Sequence, residues 1–238
     1  MSCCIIGGSG FIGLHLVKIL IDQGKDVIVI GRSKIPSRTL PVGVIYISGD
    51  FGDKDFLKEV LINVDEIIDL SYASVPKTSF EDPVKDILNN LPSHVNLFEV
   101  ASSLPIKKLV IVFSGGTVYG KAIDLPISED HPLEPISPYG ITKLVVEKYA
   151  QMYYLIKKLP VICGRPSNAY GDGQKPFAGQ GFIPTVIASA LEGKSITIFG
   201  ENGSIRDYIH VTDVATGIAA ALEKGLLGEF YNIGSGNA

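Results

Sequence analysis

Short, continuous apolar runs alternate with segments of helical periodicity along most of the 238 residues, and this alternation narrows the choice of fold more than any other feature. The runs fall at residues 2–6, 27–30, 44–47, 66–70, 109–113 and 160–163. Between them, Leu14, Val17, Leu20 and Ile21 repeat at helical spacing up to Gly24, and Phe56, Leu57, Val60 and Leu61 mark one helix face. Residues 82–102 and 138–157 read as two long helices, the first interrupted by Asn and Pro near its middle. A strand without polar alternation is buried on both faces, and strands separated by helices pair in parallel. The chain is therefore expected to be α/β, with a Rossmann-type parallel sheet, helices on both faces and right-handed crossovers. Beyond Gly171 the pattern loosens. Residues 176–181 read as loop, 182–191 as helix, 195–199 as a short strand, 213–222 as helix and 229–233 as a last strand.

Composition excludes several classes. With 46% apolar and 19% charged residues the chain is globular, not disordered. A net charge of −4 gives no electrostatic reason to expect nucleic acid as a partner. No 18-residue apolar stretch and no charged leader followed by an apolar run is present, so neither a membrane span nor a signal peptide is expected. Three cysteines, Cys3, Cys4 and Cys163, cannot build a disulfide framework, which points to a reducing, cytoplasmic compartment. The four histidines are dispersed and no metal site is expected.

The first strand–helix junction reads Gly7-Gly8-Ser9-Gly10-Phe11-Ile12-Gly13. Glycines at 7, 10 and 13 let the backbone turn sharply and approach a pyrophosphate, while the helix start behind them offers free N–H groups and a positive dipole end. The spacing is one residue off the G-x-G-x-x-G dehydrogenase fingerprint. Gly7, Gly10, Phe11, Ile12 and Gly13 are accordingly expected to hold a dinucleotide. The second strand ends Ile30-Gly31-Arg32-Ser33, without the carboxylate that binds an unphosphorylated ribose. Arg32 and Ser33 suit a 2′-phosphate, which leans towards NADP over NAD; a solvated turn with an exposed arginine is the plainer alternative. Asp50 and Phe51, just past the third strand, are expected near the adenine. Residues 1–170 are read as the NAD(P)-binding domain, with later segments returning to it, and 171–238 as a partial lobe interleaved with it.

Ser137-Pro138-Tyr139-Gly140-Ile141-Thr142-Lys143 opens the second long helix. Tyr139 and Lys143, four apart, share one face. An ammonium beside a phenol favours the phenolate, and the pair makes a general acid/base for an alcohol during hydride transfer.

Together, G-G-S-G-F-I-G at 7–13, G-D at 49–50, S-G-G-T-V-Y-G at 114–120, Y-G-I-T-K at 139–143, R-P-S-N-A-Y-G at 165–171, I-T-I-F-G at 196–200 and R-D-Y-I-H-V-T-D at 206–213 resemble the extended short-chain dehydrogenase/reductase family. The resemblance is to its nucleotide-sugar epimerase/dehydratase branch, nearest to the UDP-glucose 4-epimerases. It implies NAD or NADP as cofactor, a UDP-sugar or other nucleotide sugar as substrate, and a homodimer formed through the helices at 82–102 and 138–157.

Carried over residue by residue, Tyr139 is the acid/base and Lys143 its partner. The family's catalytic Ser or Thr, four residues before the tyrosine of V-Y-G, is Gly115 in this chain. Thr117 is the first candidate for the missing hydroxyl and Ser114 the second. The family's dehydratases and decarboxylases carry extra acids where Gly116 and Thr117 stand, so elimination is disfavoured. Epimerisation through a transient 4-keto sugar is the leading expectation; an NADP-dependent reductase and a non-catalytic nucleotide-binding homologue are the alternatives. Asn168 and Arg206 match residues that hold the sugar-nucleotide diphosphate, and Thr117 also lines the family's substrate pocket. Asn90 matches a brace near the catalytic strand, Tyr119 is expected as a pocket wall, and Tyr72 is bulkier than the family's small residue there. Family members continue past the final Y-N-I-G-S-G, so a truncated substrate lobe is expected.

Overall fold

The computed structural model describes residues 1–198 and 205–237. In chain order the elements are β1 (Ser2–Ile6), α1 (Phe11–Asp22), β2 (Asp26–Gly31), β3 (Ile45–Ser48), α2 (Lys54–Leu61), β4 (Glu66–Asp69), α3 (Pro76–Glu81), α4 (Pro83–Ser102), β5 (Lys108–Val112), α5 (Gly115–Val118), α6 (Pro138–Lys157), β6 (Val161–Pro166), β7 (Asn168–Tyr170), α7 (Phe182–Leu191), β8 (Tyr208–His210), α8 (Val211–Lys224) and β9 (Phe230–Ile233). Seven strands form one parallel sheet in the order β3-β2-β1-β4-β5-β6-β9, as the apolar runs predict.

Alternation along each strand divides the core. Cys3 and Ile5 join Ile68 and Val110 beneath Leu16, Val17 and Leu20 of α1 and Val214, Ile218 and Leu222 of α8. Cys4 and Ile6 point the other way, to a cluster with Leu57 and Leu61 of α2, Leu97 and Phe98 of α4, and Val146, Ala150 and Tyr153 of α6. Each fully buried Leu or Ile contributes about 1.5–3 kcal/mol, so both faces are strongly committed.

The helices 138–157 and 182–191 form over the expected residues. Ser137 accepts from the Gly140 N–H and Pro138 presets the first turn, which is why α6 starts sharply. The helix expected over 82–102 is preceded by a separate short one, α3. Asp82 divides them, leaving the helical region at φ −148° and capping α4 through the Lys85 N–H. Residues 195–198 form no strand, and Phe199 lies outside the described residues. The small parallel pair of β7 and β8, joining Asn168 to Tyr208 and Tyr170 to His210, had no signal in the sequence. Beyond residue 170 the chain returns to the main sheet: α8 packs against α1 and β9 pairs with β6.

Among the described residues no helix is long and apolar enough to cross a membrane, and no group of three His, Cys, Asp or Glu side chains could hold a metal. The three cysteines are free and buried.

Candidate active site

Parallel strands send their loops to one sheet edge, and the strand order reverses between β1 and β4. There the segments after β1, β4, β5 and β6 enclose a cavity of about 760 Å³, with the start of α6 in its wall.

The glycine loop forms one end. Gly7 has φ +80°, a left-handed conformation that favours glycine, and its N–H donates to Ile30 O at 2.9 Å. A Cβ on Gly13 would lie 2.6 Å from Gly7 O and from Gly8 backbone atoms, so the helix can press onto the loop only without one. Gly10 caps α1 with no side chain, leaving the first-turn N–H groups directed at the cavity that Phe11 and Ile12 line. This cradle fits a dinucleotide pyrophosphate.

Arg32 and Ser33 are exposed beyond β2, and Asp50 and Phe51 follow β3; all four lie outside the cavity lining. The Asp50 carboxylate accepts from the Gly52 N–H at 2.9 Å. The lining contains Ser37 and Arg38 in their place. Ser37 Oγ donates to Ser9 O at 2.6 Å, and Arg38 Nη2 donates to Gly173 O. His15 reaches the neighbouring Asp172 O at 3.1 Å. No sequence signal separates Arg38 from Arg32, because their difference lies in how the loop after β2 folds back over Ser9.

At the centre stand Ser114, Tyr139 and Lys143, all lining the cavity. The N–H of Tyr139 donates to Ser79 Oγ at 3.1 Å, which ties the tyrosine's backbone to α3. Burial pushes the Tyr139 phenol up and Asp86 adds to this, while the Ser114 hydroxyl pulls it down. The net direction is opposite to that expected from a Tyr–Lys pair alone. The Lys143 ammonium sits 5.8 Å from the Tyr139 ring centroid and donates to Val112 O at 3.2 Å. Its nearest aromatic surface is Tyr72, at 4.0 Å. Burial pushes Lys143 down to about 8, against the pull of Asp69 and Asp86.

Of the two hydroxyls weighed for the missing family residue, Ser114 lies beside Tyr139. Thr117 lines the cavity with its Oγ1 buried and without a hydrogen-bond partner. Gly115 is a packing requirement: a Cβ there would stand 2.8 Å from Arg165 O and 3.2 Å from Pro166 O.

Behind the cavity lies a buried polar layer. Asn90 accepts from the Ala73 N–H at 2.7 Å and donates to Asp86 O at 2.7 Å, bracing the loop after β4. Asp86 accepts from the Ser74 hydroxyl. His94 Nε2 is 3.2 Å from Asp69 Oδ2. Burial raises the Asp69 carboxyl, but His94 and Ser71 together hold it below its ordinary value.

Asn168 and Arg206 also line the cavity. Asn168 Nδ2 donates to Asp207 O at 3.1 Å. The Asp207 carboxylate accepts from Ser235 N at 3.0 Å and Ser235 Oγ at 2.6 Å, and so is engaged with the turn after β9. Tyr119 is not a cavity wall. Its hydroxyl accepts from Arg165 Nη1 at 2.8 Å and donates to Asn232 Oδ1 at 2.6 Å. Arg165 also grips Glu147 of α6 through two bonds of 3.0 and 2.6 Å, tying α6 to β6.

Four buried polar atoms without a hydrogen-bond partner belong to residues of the lining: Tyr72 Oη, Thr117 Oγ1, Ser167 Oγ and Gln174 Oε1. Unpaired buried polar groups are costly, so their concentration here fits a polar ligand.

Known proteins share this architecture. A protein of Methanocaldococcus jannaschii provisionally named UDP-glucose 4-epimerase is 34% identical over 234 residues, 98% of this chain and 76% of its own length. The crystal structure of Thermotoga maritima UDP-glucose 4-epimerase with UDP-glucose superposes with a TM-score of 0.92 at 29% identity, covering 100% of this chain and 78% of that one. The Thermus thermophilus UDP-glucose 4-epimerase complex with NAD gives a TM-score of 0.87 at 32% identity, covering 98% and 78%. The model of the NAD dependent epimerase/dehydratase family matches residues 3–234, and the chain belongs to that family.

Proposed function

We propose that the chain is a nucleotide-sugar epimerase, holding NAD along the glycine loop and a UDP-hexose beside Asn168 and Arg206, and interconverting the hexoses at C4. The observation that carries this reading is one cavity uniting the glycine cradle, the Ser114–Tyr139–Lys143 cluster and buried polar atoms left without protein partners. A bound nicotinamide supplies the acceptor for hydride from the sugar carbon and the donor that returns it to the opposite face. Tyr139 takes the proton of the sugar hydroxyl and gives it back to the transient 4-keto sugar. The charged Lys143 favours the phenolate form of Tyr139, and Ser114 donates a hydrogen bond to the reacting oxygen. Arg206 pairs with the diphosphate and Asn168 orients it. Gly116 and Thr117 offer no carboxylic acid, which supports epimerisation over loss of water.

The test is to incubate the protein with NAD and UDP-glucose or UDP-galactose. The expected result is equilibration of the pair without accumulation of NADH. Failure of the cofactor-loaded protein to equilibrate any UDP-hexose pair refutes the reading. A second reading, net reduction with NADPH, draws support from Arg38 in the cavity wall; stoichiometric NADPH consumption would establish it. For a non-catalytic homologue, the cofactor binds without turnover and Tyr139→Phe changes nothing.

The proposal extends to the assembly and its surroundings. The division near residue 170 is read as a cofactor domain and a sugar lobe. α4 and α6 pack together and expose Val84, Leu88, Ile141 and Tyr149, which supports a homodimer through these helices; sedimentation measures it. Three buried free thiols support a reducing, cytoplasmic setting.

A further inference from the structure

Tyr72 stands in the loop after β4, where the resembling family has a small residue, and no role in the proposed chemistry uses it. Its ring face lies 4.0 Å from the Lys143 ammonium, and its ring meets that of Tyr139 edge to face at 4.8 Å and 71°. His94 tilts against the same ring at 6.1 Å. The phenol oxygen is closed off from solvent, with the Thr142 hydroxyl beside it. Within the protein it is the ring, not the oxygen, that meets Lys143 and Tyr139. Burial also raises the Tyr72 phenol, which keeps it neutral.

Lys143 needs such a neighbour. It is 4% exposed and its one hydrogen bond among the described residues is to Val112 O. The titratable groups facing it are Asp69 of β4, Asp86 of α4 with His94 behind, Tyr139 of α6 and Tyr72 itself. None of the carboxylates reaches it as a close ion pair. The negative face of an aromatic ring stabilises a desolvated ammonium and fixes where it sits.

We infer that Tyr72 is a positioning residue for the acid–base pair: its ring face seats the Lys143 ammonium and its edge holds the Tyr139 ring. This rests on the reading of Tyr139 and Lys143 as the acid and its partner. Because the ring and not the oxygen contacts Lys143 and Tyr139, Tyr72→Phe keeps the seat of the ammonium. Tyr72→Met fills most of the volume without a ring face, and Tyr72→Leu is the substitute should the Met variant fail to fold.

The experiment is a 13C NMR titration of lysine labelled at Cε, with the Lys143 resonance assigned by its loss in Lys143→Met. It needs no activity. In the wild type the midpoint lies near 8, and in Tyr72→Phe it stays there. In the ring-free variant it falls by about one pH unit, and the alkaline limb of the epimerisation rate moves down with it while KM for the sugar holds. A midpoint in the ring-free variant that stays or rises overturns the inference. So does a fall in Tyr72→Phe equal to that in the ring-free variant. Should the wild type not epimerise any sugar, the proposed function fails, and the titration still decides the seat of Lys143.

Discussion

Gly115 stands where related enzymes place a catalytic hydroxyl, and restoring that hydroxyl should not help this chain. A Cβ at 115 lies 2.8 Å from Arg165 O, about 0.6 Å inside the 3.4 Å of ordinary contact, and the obstacle is backbone. Moving it requires displacing the end of β6, which is anchored by the Arg165–Glu147 pair and by pairing to β9. Overpacking of this kind costs about 1–3 kcal/mol. Replacing glycine by alanine in a compatible backbone returns about 0.4–1 kcal/mol through the unfolded chain, which leaves Gly115→Ala less stable by about 1–2 kcal/mol. Gly116 is the internal control, since a Cβ there meets only Asn168 side-chain atoms at 3.7 Å and beyond. Gly116→Ala should be neutral or slightly stabilising. Urea unfolding separates the two: with a slope of about 2–3 kcal/mol/M, the Gly115 variant loses roughly 0.5 M in midpoint. Gly115→Ser should also lower kcat, because the strand end it displaces leads into Ser167 and Asn168 of the cavity wall. A Gly115→Ser variant that is as stable as the wild type and turns over faster would refute the reasoning, and would mean that the site lacks a hydroxyl which Ser114 does not provide.

Tyr139→Phe is expected to lower kcat by about 10²–10⁴-fold with cofactor affinity retained, measured by epimerisation assay and cofactor titration. Activity should fall as pH rises through about 8, because the native Lys143 loses its charge there and the phenolate loses its cation; a rate–pH profile flat to pH 10 contradicts this. Glu147→Ala leaves the Arg165 guanidinium, 2% exposed, without its carboxylate and should cost about 3–5 kcal/mol in urea unfolding. Glu147→Leu combined with Arg165→Met should recover much of that loss, since neither charge is then buried.

The parts legible beforehand are those set by local chemistry. The Ser137-Pro138 start of α6 is a cap and a preset turn, so Tyr139 and Lys143 could be placed on one helix face from spacing alone. The strands were legible because a continuous apolar run marks most of them, as at residues 3–6, 27–30 and 109–112. The helix from 82 was legible, with Asp82 as its cap, whereas α3 was missed because its six residues are too few to carry a periodic pattern. The β7–β8 pair was invisible because it joins three-residue segments about forty positions apart, each too short to carry a pattern.

From the chain alone, then, came the parallel sheet, the glycine cradle, the Tyr139–Lys143 pair and the family resemblance. The glycine cradle, the Tyr139–Lys143 pair and each strand depend on residues within one or two turns of each other, and the sheet and the resemblance on the order of such local signals along the chain. The tertiary structure decided which of two hydroxyls stands beside Tyr139, that Arg38 and not Arg32 lines the cavity, and that the bulk of Tyr72 lies under Lys143. These are matters of a few ångströms between segments far apart in sequence. Ser114 and Thr117 lie on the same strand-to-helix turn, and only the approach of α6 determines which of them reaches the phenol.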